Sequence, residues 1–461
     1  MRDLKHFFQP KSIAVIGASR NLNKIGHILY KNIIDGKFQG EVFPVNITGE
    51  EVLGKKSFLS VLNIKEKIDL AIIAIPAIHV LKVLRDCKKK GIKNILIISA
   101  GFREIGNISL EDKLINFLKK NKMNCIGVNC LGIFDAYNNL DAIFIPRLRL
   151  KRPEKGNISF VCQSGAVGAA LLDIASENDH KFSKFISYGN ATDIDESDII
   201  EYLGNDDNTK VISLYFEGIK NGNKFFSVLK NISQKKPIIA IKGGLTKEGS
   251  MAVLSHTGSL AGNKEVFYGV FNQTNVITAE SLEELFLITS LFEKIKYFKG
   301  NNIQVITNGG GYGIISTDAI IQSKYLKLAN LSELTKKNLR KQLPEIISIK
   351  NPLDLLGDAT TKRYEIALEN CIKDKNIDLI LLIVLYQTPL ISQNIVELIS
   401  SFKEKTNKPV IVVSTGGDFT QNLSERLVRN SIPVFSYPED SIKALDKMVW
   451  YLNKINKINK R

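Results

Sequence analysis

Short apolar runs alternate with helical patterns along the whole chain, and that rhythm constrains the fold more than any other feature. In the first third the runs cover 12–16, 41–46, 70–75, 94–99 and 124–128. Runs this short, apolar throughout and separated by helices, belong to parallel sheets, because each crossover lays a helix over a sheet face and buries both faces. The chain also repeats itself. Asn-Ile-Ser-Phe-Val-Cys-Gln-Ser-Gly-Ala-Val-Gly at 157–168 aligns without gaps on Asn-Ile-Gln-Val-Ile-Thr-Asn-Gly-Gly-Gly-Tyr-Gly at 302–313, and Lys236-Pro237 with its following apolar run matches Lys408-Pro409 and its run. Two related flavodoxin-like units account for both matches. At 461 residues, and roughly 150 per domain, three α/β domains are expected, over 1–148, 155–297 and 300–461, with polar breaks at 151–156 and 298–302.

Lys and Arg outnumber Asp and Glu by 63 to 47, a formal charge of +16 that would suit nucleic acid or a polyanionic ligand. The lysines, however, are scattered over helical faces without an aromatic-interleaved basic stripe. The densest run, Lys88-Lys89-Lys90, ends a helical pattern before Gly91, where cations suit the helix dipole. Solvated surface is the reading, with no nucleic-acid partner. No apolar run approaches the roughly 18 residues of a membrane span and the N-terminus has no signal-peptide core, so a cytoplasmic protein without a membrane partner is expected. Cys87, Cys125, Cys130, Cys162 and Cys371 are odd in number and unclustered. They read as reduced core thiols holding no metal. The polar tail at 453–461 is expected to fray.

Two turns after strands carry anion chemistry. The first run ends at Gly17-Ala18-Ser19-Arg20 and leads into a helix, whose free amides favour phosphate. A dinucleotide site would need G-x-G-x-x-G and an acid ending the second strand, but Asn46 stands there. A near Walker loop at 49–56 fails because Lys56 replaces the Ser or Thr and Glu50 and Glu51 would sit inside the phosphate cradle. In the second domain Gln163-Ser164-Gly165 opens a helix of small residues with bare amides, and Ser164 adds a hydroxyl. Glu217 ends a strand of the same domain, where open α/β sheets keep their sites. At 254–262, Leu-Ser-His-Thr-Gly-Ser-Leu-Ala-Gly sets His256 in an uncrowded loop. Imidazole is a competent nucleophile toward phosphorus when its other nitrogen is held, a task Glu217 could perform, and Thr257 and Gly258 could receive a phosphoryl group. Alone, His256 would read as a structural histidine and Glu217 as a solvated acid.

These segments together, in this order over nearly the whole chain, resemble the succinyl-CoA synthetase superfamily, and within it the α subunits of ADP-forming acetyl-CoA synthetases. The resemblance implies a Rossmann-like CoA-binding domain followed by two flavodoxin-like domains. It implies that Gly17, Ala18, Ser19, Lys24, Val45, Asn46, Ile75, Pro76 and Ser99 line a CoA site, that His256 carries phosphoryl and Glu217 orients it, and that Gln163, Ser164 and Gly165 bind phosphate. Two departures stand out: the usual Val-Asn-Pro-Lys is Val-Asn-Ile-Thr at 45–48, removing a lysine that could meet a CoA phosphate, and the usual Gly-Pro-Asn-Cys is Gly-Val-Asn-Cys at 127–130. Asn351-Pro352-Leu353-Asp354 is also typical, but the third domain offers no nucleophile or base. Its glycines at 309–311 read as a degenerate duplicate serving assembly. The expected activity is acyl-CoA plus ADP plus phosphate giving a small carboxylic acid, CoA and ATP. ADP or ATP and Mg²⁺ are expected on a separate ATP-grasp β subunit in an α2β2 assembly, since the three α/β units leave no nucleotide-clamping segment. A CoA-binding regulatory or scaffold protein without turnover is the alternative.

Overall fold

A computed structural model describes residues 2–257, 263–295 and 298–458, except for the side chains of 252 and 254–257. Two compact units form, Met1–Thr278 and Ala279–Arg461. In the first, β1 (Ser12–Ile16) and β2 (Glu41–Val45) are followed by a small hairpin of β3 (Glu51–Val52) and β4 (Lys55–Lys56), then by β5 (Leu70–Ile73), β6 (Asn94–Ile97) and β7 (Asn124–Gly127). Apart from the hairpin these make a parallel sheet in the order β2-β1-β5-β6-β7. Its strands are apolar on both sides because both are covered: Ile13 and Val15 point into one core, Ala14 and Ile16 into another. The strands fall within two residues of their expected places.

The same unit holds a second sheet of β8 (Gly132–Asp135), β9 (Leu140–Ile143), β10 (Lys155–Cys162), β11 (Phe182–Ser187), β12 (Val211–Phe216), β13 (Ile238–Lys242) and β14 (Ile277–Thr278), ordered β14-β13-β12-β10-β11-β8-β9. The Ala279–Arg461 unit holds β15 (Asn302–Thr307), β16 (Lys327–Leu328), β17 (Leu353–Asp354), β18 (Leu379–Ile383), β19 (Val410–Val413) and β20 (Val434–Phe435), ordered β16-β15-β18-β19-β20, with β17 also on β15. In each of these three sheets the strand order reverses once, between the parallel neighbours β1/β5, β10/β12 and β15/β18. Such a reversal opens a crevice at the strands' C-terminal ends.

Four expectations change. Residues 132–143, assigned to 1–148, join the second sheet, where Ile133 and Phe134 pair antiparallel with Ile186 and Phe185 and cover the open edge of β11. Residues 282–294, assigned to 155–297, form a helix (Leu282–Lys294) packed on the C-terminal helix Pro438–Ile458, with Phe292 edge-on to Tyr451 at 5.4 Å and Lys447 Nζ 2.5 Å from Glu284 Oε1. The break at 151–156 is tied down: Arg152 Nε donates at 3.0 Å to Asp141, a fully buried carboxylate also met by Arg147 at 2.8 Å. The tail is helical through Ile458. All five cysteines are buried free thiols, and burial pushes Cys87 up to about 12. Among the described residues, no helix is long and apolar enough to cross a membrane.

Candidate functional site

The turn after β1 depends on glycine. Gly17 has φ +96°, and a Cβ there would lie 2.3 Å from the Ala74 carbonyl oxygen, so only glycine lets the loops after β1 and β5 meet. A Cβ on Gly26 would lie 1.9 Å from Gly17 O, so the helix Ile25–Asp35 can start directly against the turn. Beside it, the Ser99 hydroxyl donates to Ile75 O at 2.6 Å and accepts from Ile75 N at 3.2 Å, clamping the loops after β5 and β6 together.

In the second sheet Gln163 bridges the reversal between β10 and β12. Its Oε1 accepts from the backbone N–H of Glu217 at 2.7 Å and of Gly218 at 3.2 Å. Ser164 is the N-cap of the helix Gly165–Glu177, its Oγ accepting from Val167 N at 3.4 Å. The Glu217 side chain is buried, and its Oε1 accepts from the Tyr215 hydroxyl at 3.2 Å. Burial, then the Glu217 charge, push that phenol well above its ordinary value. At the end of the neighbouring β13, Lys242 lies over the Phe267 and Phe216 rings at 5.1 and 5.9 Å. Burial lowers it to about 8 against the opposing pull of Glu217. Tyr215 and Lys242 escaped the sequence reading. An i, i+2 pair ending a strand was the available signal for Tyr215, whereas Lys242 needed the strand order.

Between the two sheets lies a cavity of about 800 Å³. Of the residues expected at a CoA site, Gly17, Lys24, Ile75, Pro76 and Ser99 line it; of those expected at phosphate, Gln163, Ser164 and Gly165 do. Ala18, Val45, Ser19 and Asn46 do not: Ala18 and Val45 are core, and Ser19 and Asn46 are engaged with the loop at 48–50. The walls also include Cys130 and Asn190, which the sequence did not single out as contacts. Cys130 is buried, and burial pushes its thiol up to about 12, away from the thiolate form that nucleophilic attack uses. Asn190 ties the two halves together. Its amide donates to Glu104 Oε2 at 2.8 Å and Glu111 Oε2 at 3.1 Å, while Lys220, three residues past Glu217, donates to the carbonyls of Asn190 and Ala191 at 2.8 Å each. Burial would raise the Glu104 carboxyl, but donors from Gly101, Asn190 and Phe102 hold it below its ordinary value.

The backbone at 254–257 is helical where an open loop was expected. It ends the helix Lys247–Thr257, started where the Thr246 hydroxyl accepts from Gly249 N at 3.0 Å and continued by helix-forming Met251 and Ala252. That helix packs beside the short turn Arg103–Ile105. The side chains of His256 and Thr257, and Gly258 entirely, lie outside the described residues.

Three family models match in succession: a CoA binding domain over 11–136, a succinyl-CoA ligase like flavodoxin domain over 155–292 and a ligase-CoA domain over 303–451. The α subunit of acetate–CoA ligase [ADP-forming] II from Pyrococcus furiosus is 38% identical over 97% of both chains. This chain belongs to the ADP-forming acetate–CoA ligase family. Its Methanocaldococcus jannaschii member, an acetate–CoA ligase [ADP-forming], is 41% identical over 97% of this chain, which spans 63% of that protein's length. Among solved members, a Ca. Korarchaeum cryptofilum dinucleotide forming acetyl-coenzyme A synthetase 1 in complex with phosphate and ADP superposes with a TM-score of 0.93 at 32% identity, covering 99% of this chain and 98% of that one.

Proposed function

We propose that this chain is the α subunit of an ADP-forming acyl-CoA synthetase, catalysing acyl-CoA plus ADP plus phosphate to acid, CoA and ATP, reversibly, in the cytoplasm. The observation that carries the reading is one cavity lined both by the turns of a CoA-binding sheet and by the bare helix N-terminus at Gln163, Ser164 and Gly165. A thioester carbonyl and an inorganic phosphate can meet there. A phosphate oxygen attacks the carbonyl carbon, the C–S bond breaks, and CoA leaves as thiolate and takes a proton. An imidazole nitrogen of His256 then attacks phosphorus, the P–O bond to the carboxylate breaks, and the acid departs. Phosphohistidine passes its phosphoryl to a terminal oxygen of ADP, held with Mg²⁺ on an ATP-grasp β subunit in an α2β2 assembly. Dividing the transfer keeps each barrier low. Amides at Ser164–Gly165 stabilise phosphate charge, and Glu217 orients His256 and steadies its cationic phosphorylated form.

Co-expression with the partner, followed by ADP- and phosphate-dependent thioester cleavage over an acyl-CoA panel, tests the reading. Cleavage that needs both co-substrates is expected. CoA binding without turnover on any acyl-CoA would instead favour a regulatory or scaffold protein. By calorimetry the chain alone should bind CoA and not ATP; tight ATP binding, or NAD in place of CoA, would reject the assignment of the first sheet.

A further inference from the structure

The loop after β2 folds back onto the turn after β1 and places a carboxylate there. Asn46 Nδ2 donates to Ala18 O at 2.6 Å and to Glu50 Oε1 at 3.1 Å. The same Glu50 oxygen accepts from the Arg20 backbone N–H at 3.3 Å and lies 3.5 Å from Ser19 Oγ, while Oε2 meets Arg20 Nε at 3.1 Å. The Glu50 side chain is 22% exposed and Arg20 is 78% exposed, so the acid is the seated partner and the guanidinium reaches it from the solvent side. Four donors from two strand ends thus converge on one internal carboxylate.

In dinucleotide-binding α/β sheets the turn after the first strand takes the diphosphate and the end of the second takes the ribose, and a CoA nucleotide seated the same way follows that placement. The ribose, with whatever it carries, therefore arrives at Glu50. In CoA that ribose bears a 3′-phosphate, which wants the same donors and is repelled by the carboxylate. Thr48 supplies no cation; its hydroxyl donates to Asn46 Oδ1 at 2.9 Å. Arg20 brings a cation to this turn, and Glu50 holds it.

We propose that Glu50 is an internal occupant of the ribose-phosphate subsite: it holds the donors that the 3′-phosphate of CoA takes over on binding, and Arg20 turns from Glu50 to that phosphate. Glu50 thereby sets how strongly the chain prefers CoA to dephospho-CoA, a refinement that rests on the CoA reading above. The test is calorimetry of the full-length chain with CoA and with dephospho-CoA, in the parent, Glu50→Gln and Arg20→Met. Two charges of repulsion across roughly 5 Å of wet surface correspond to about a tenfold change. Glu50→Gln is thus expected to tighten CoA about tenfold and dephospho-CoA less than about twofold. Arg20→Met, at an exposed position that folding tolerates, should weaken CoA about tenfold and leave dephospho-CoA unchanged. A CoA to dephospho-CoA ratio that stays fixed in both variants, or equal weakening of both ligands by Glu50→Gln, would make Glu50 a brace for the turn and overturn the proposal. Failure of the parent to bind either ligand would overturn the CoA reading itself.

Discussion

Gln163 in the second sheet and Asn308 in the third hold equivalent places, just past β10 and β15, bridging the point where the strand order reverses. Gln163 accepts from the amides of Glu217 and Gly218; Asn308 Oδ1 accepts from Leu385 N at 2.9 Å and its Nδ2 donates to Leu385 O at 3.1 Å. The repeated lysines behave alike too. Lys236 donates to Leu203 O and Asp206 O at 2.8 and 2.6 Å, and Lys408 to Cys371 O at 3.3 Å and to Asp374 O, each answering carbonyls at and just past a helix end. The chemistry diverges at three matched positions. By the repeat and the strand registers, Ser164, Tyr215 and Glu217 of the one sheet correspond to Gly309, Ile383 and Leu385 of the other. Duplication kept the groups that satisfy backbone at the crevice, because any such sheet must satisfy it, and at these matched positions the second sheet carries an acid with a hydroxyl to hold it where the third carries leucine and isoleucine.

The largest effect that would break this contrast is at His256. With the partner present, His256→Ala is expected to abolish both acid-labile, base-stable labelling by the γ-phosphate of ATP and turnover, leaving CoA affinity within about twofold; ATP formation surviving in that variant would reject the carrier role. Next is Glu217→Gln, which keeps shape but loses charge. Losing a charge partner of this kind removes roughly 2–4 kcal/mol of transition-state stabilisation, or about 10²- to 10³-fold in rate. Turnover within threefold of the parent would return the orienting role to another acid, such as Asp193 or Glu248.

A matched pair sharpens the comparison. Gln163→Ala and Asn308→Ala each strand buried backbone groups at a reversal point, and each should lower stability by about 1–3 kcal/mol in urea titrations. Activity separates them: Gln163→Ala should also lower kcat, because the Glu217 loop loses its anchor, whereas the folded Asn308→Ala enzyme should retain the parent rate. Equal kcat losses would give the third sheet a share of the chemistry.

The smallest effect is one of slope. Glu196 opens the helix Glu196–Gly204, whose counterpart in the third sheet opens with Thr361. Among the described residues Glu196 Oε1 is buried without a hydrogen-bond partner, and burial, followed by the Asp195 charge, pushes the carboxyl from 4.5 up to about 8. Between those values the folded chain keeps a proton that the unfolded chain has lost, so its contribution to stability is full below pH 4.5 and fades as pH rises through 8. Glu196→Gln should flatten that decline, read as urea midpoints at pH 5 and 8, and Thr361→Val should leave the slope as it is. An unchanged slope in Glu196→Gln would place its ionisation elsewhere.

Local pattern alone determined the strands, the three-part α/β organisation, the repeat, the glycine turn at Gly17 and the helix start at Ser164, because these depend on neighbours a few residues apart: side-chain period, a positive φ, an N-cap hydroxyl. It also gave Lys24, Ile75, Pro76 and Ser99 through resemblance, and they line the cavity. Contacts over long sequence separations were decided by tertiary structure. An apolar hairpin such as 132–143 reads the same on either sheet, and only the free edge of β11 recruits it to the second. Glu50 reads as an obstacle to phosphate until its side chain is found on Arg20 and Asn46. Tyr215, Lys242 and Asn190 acquire roles only once strand order fixes what faces them, since charge and hydrogen bonding act over a few ångströms of space and sequence distance says nothing of that.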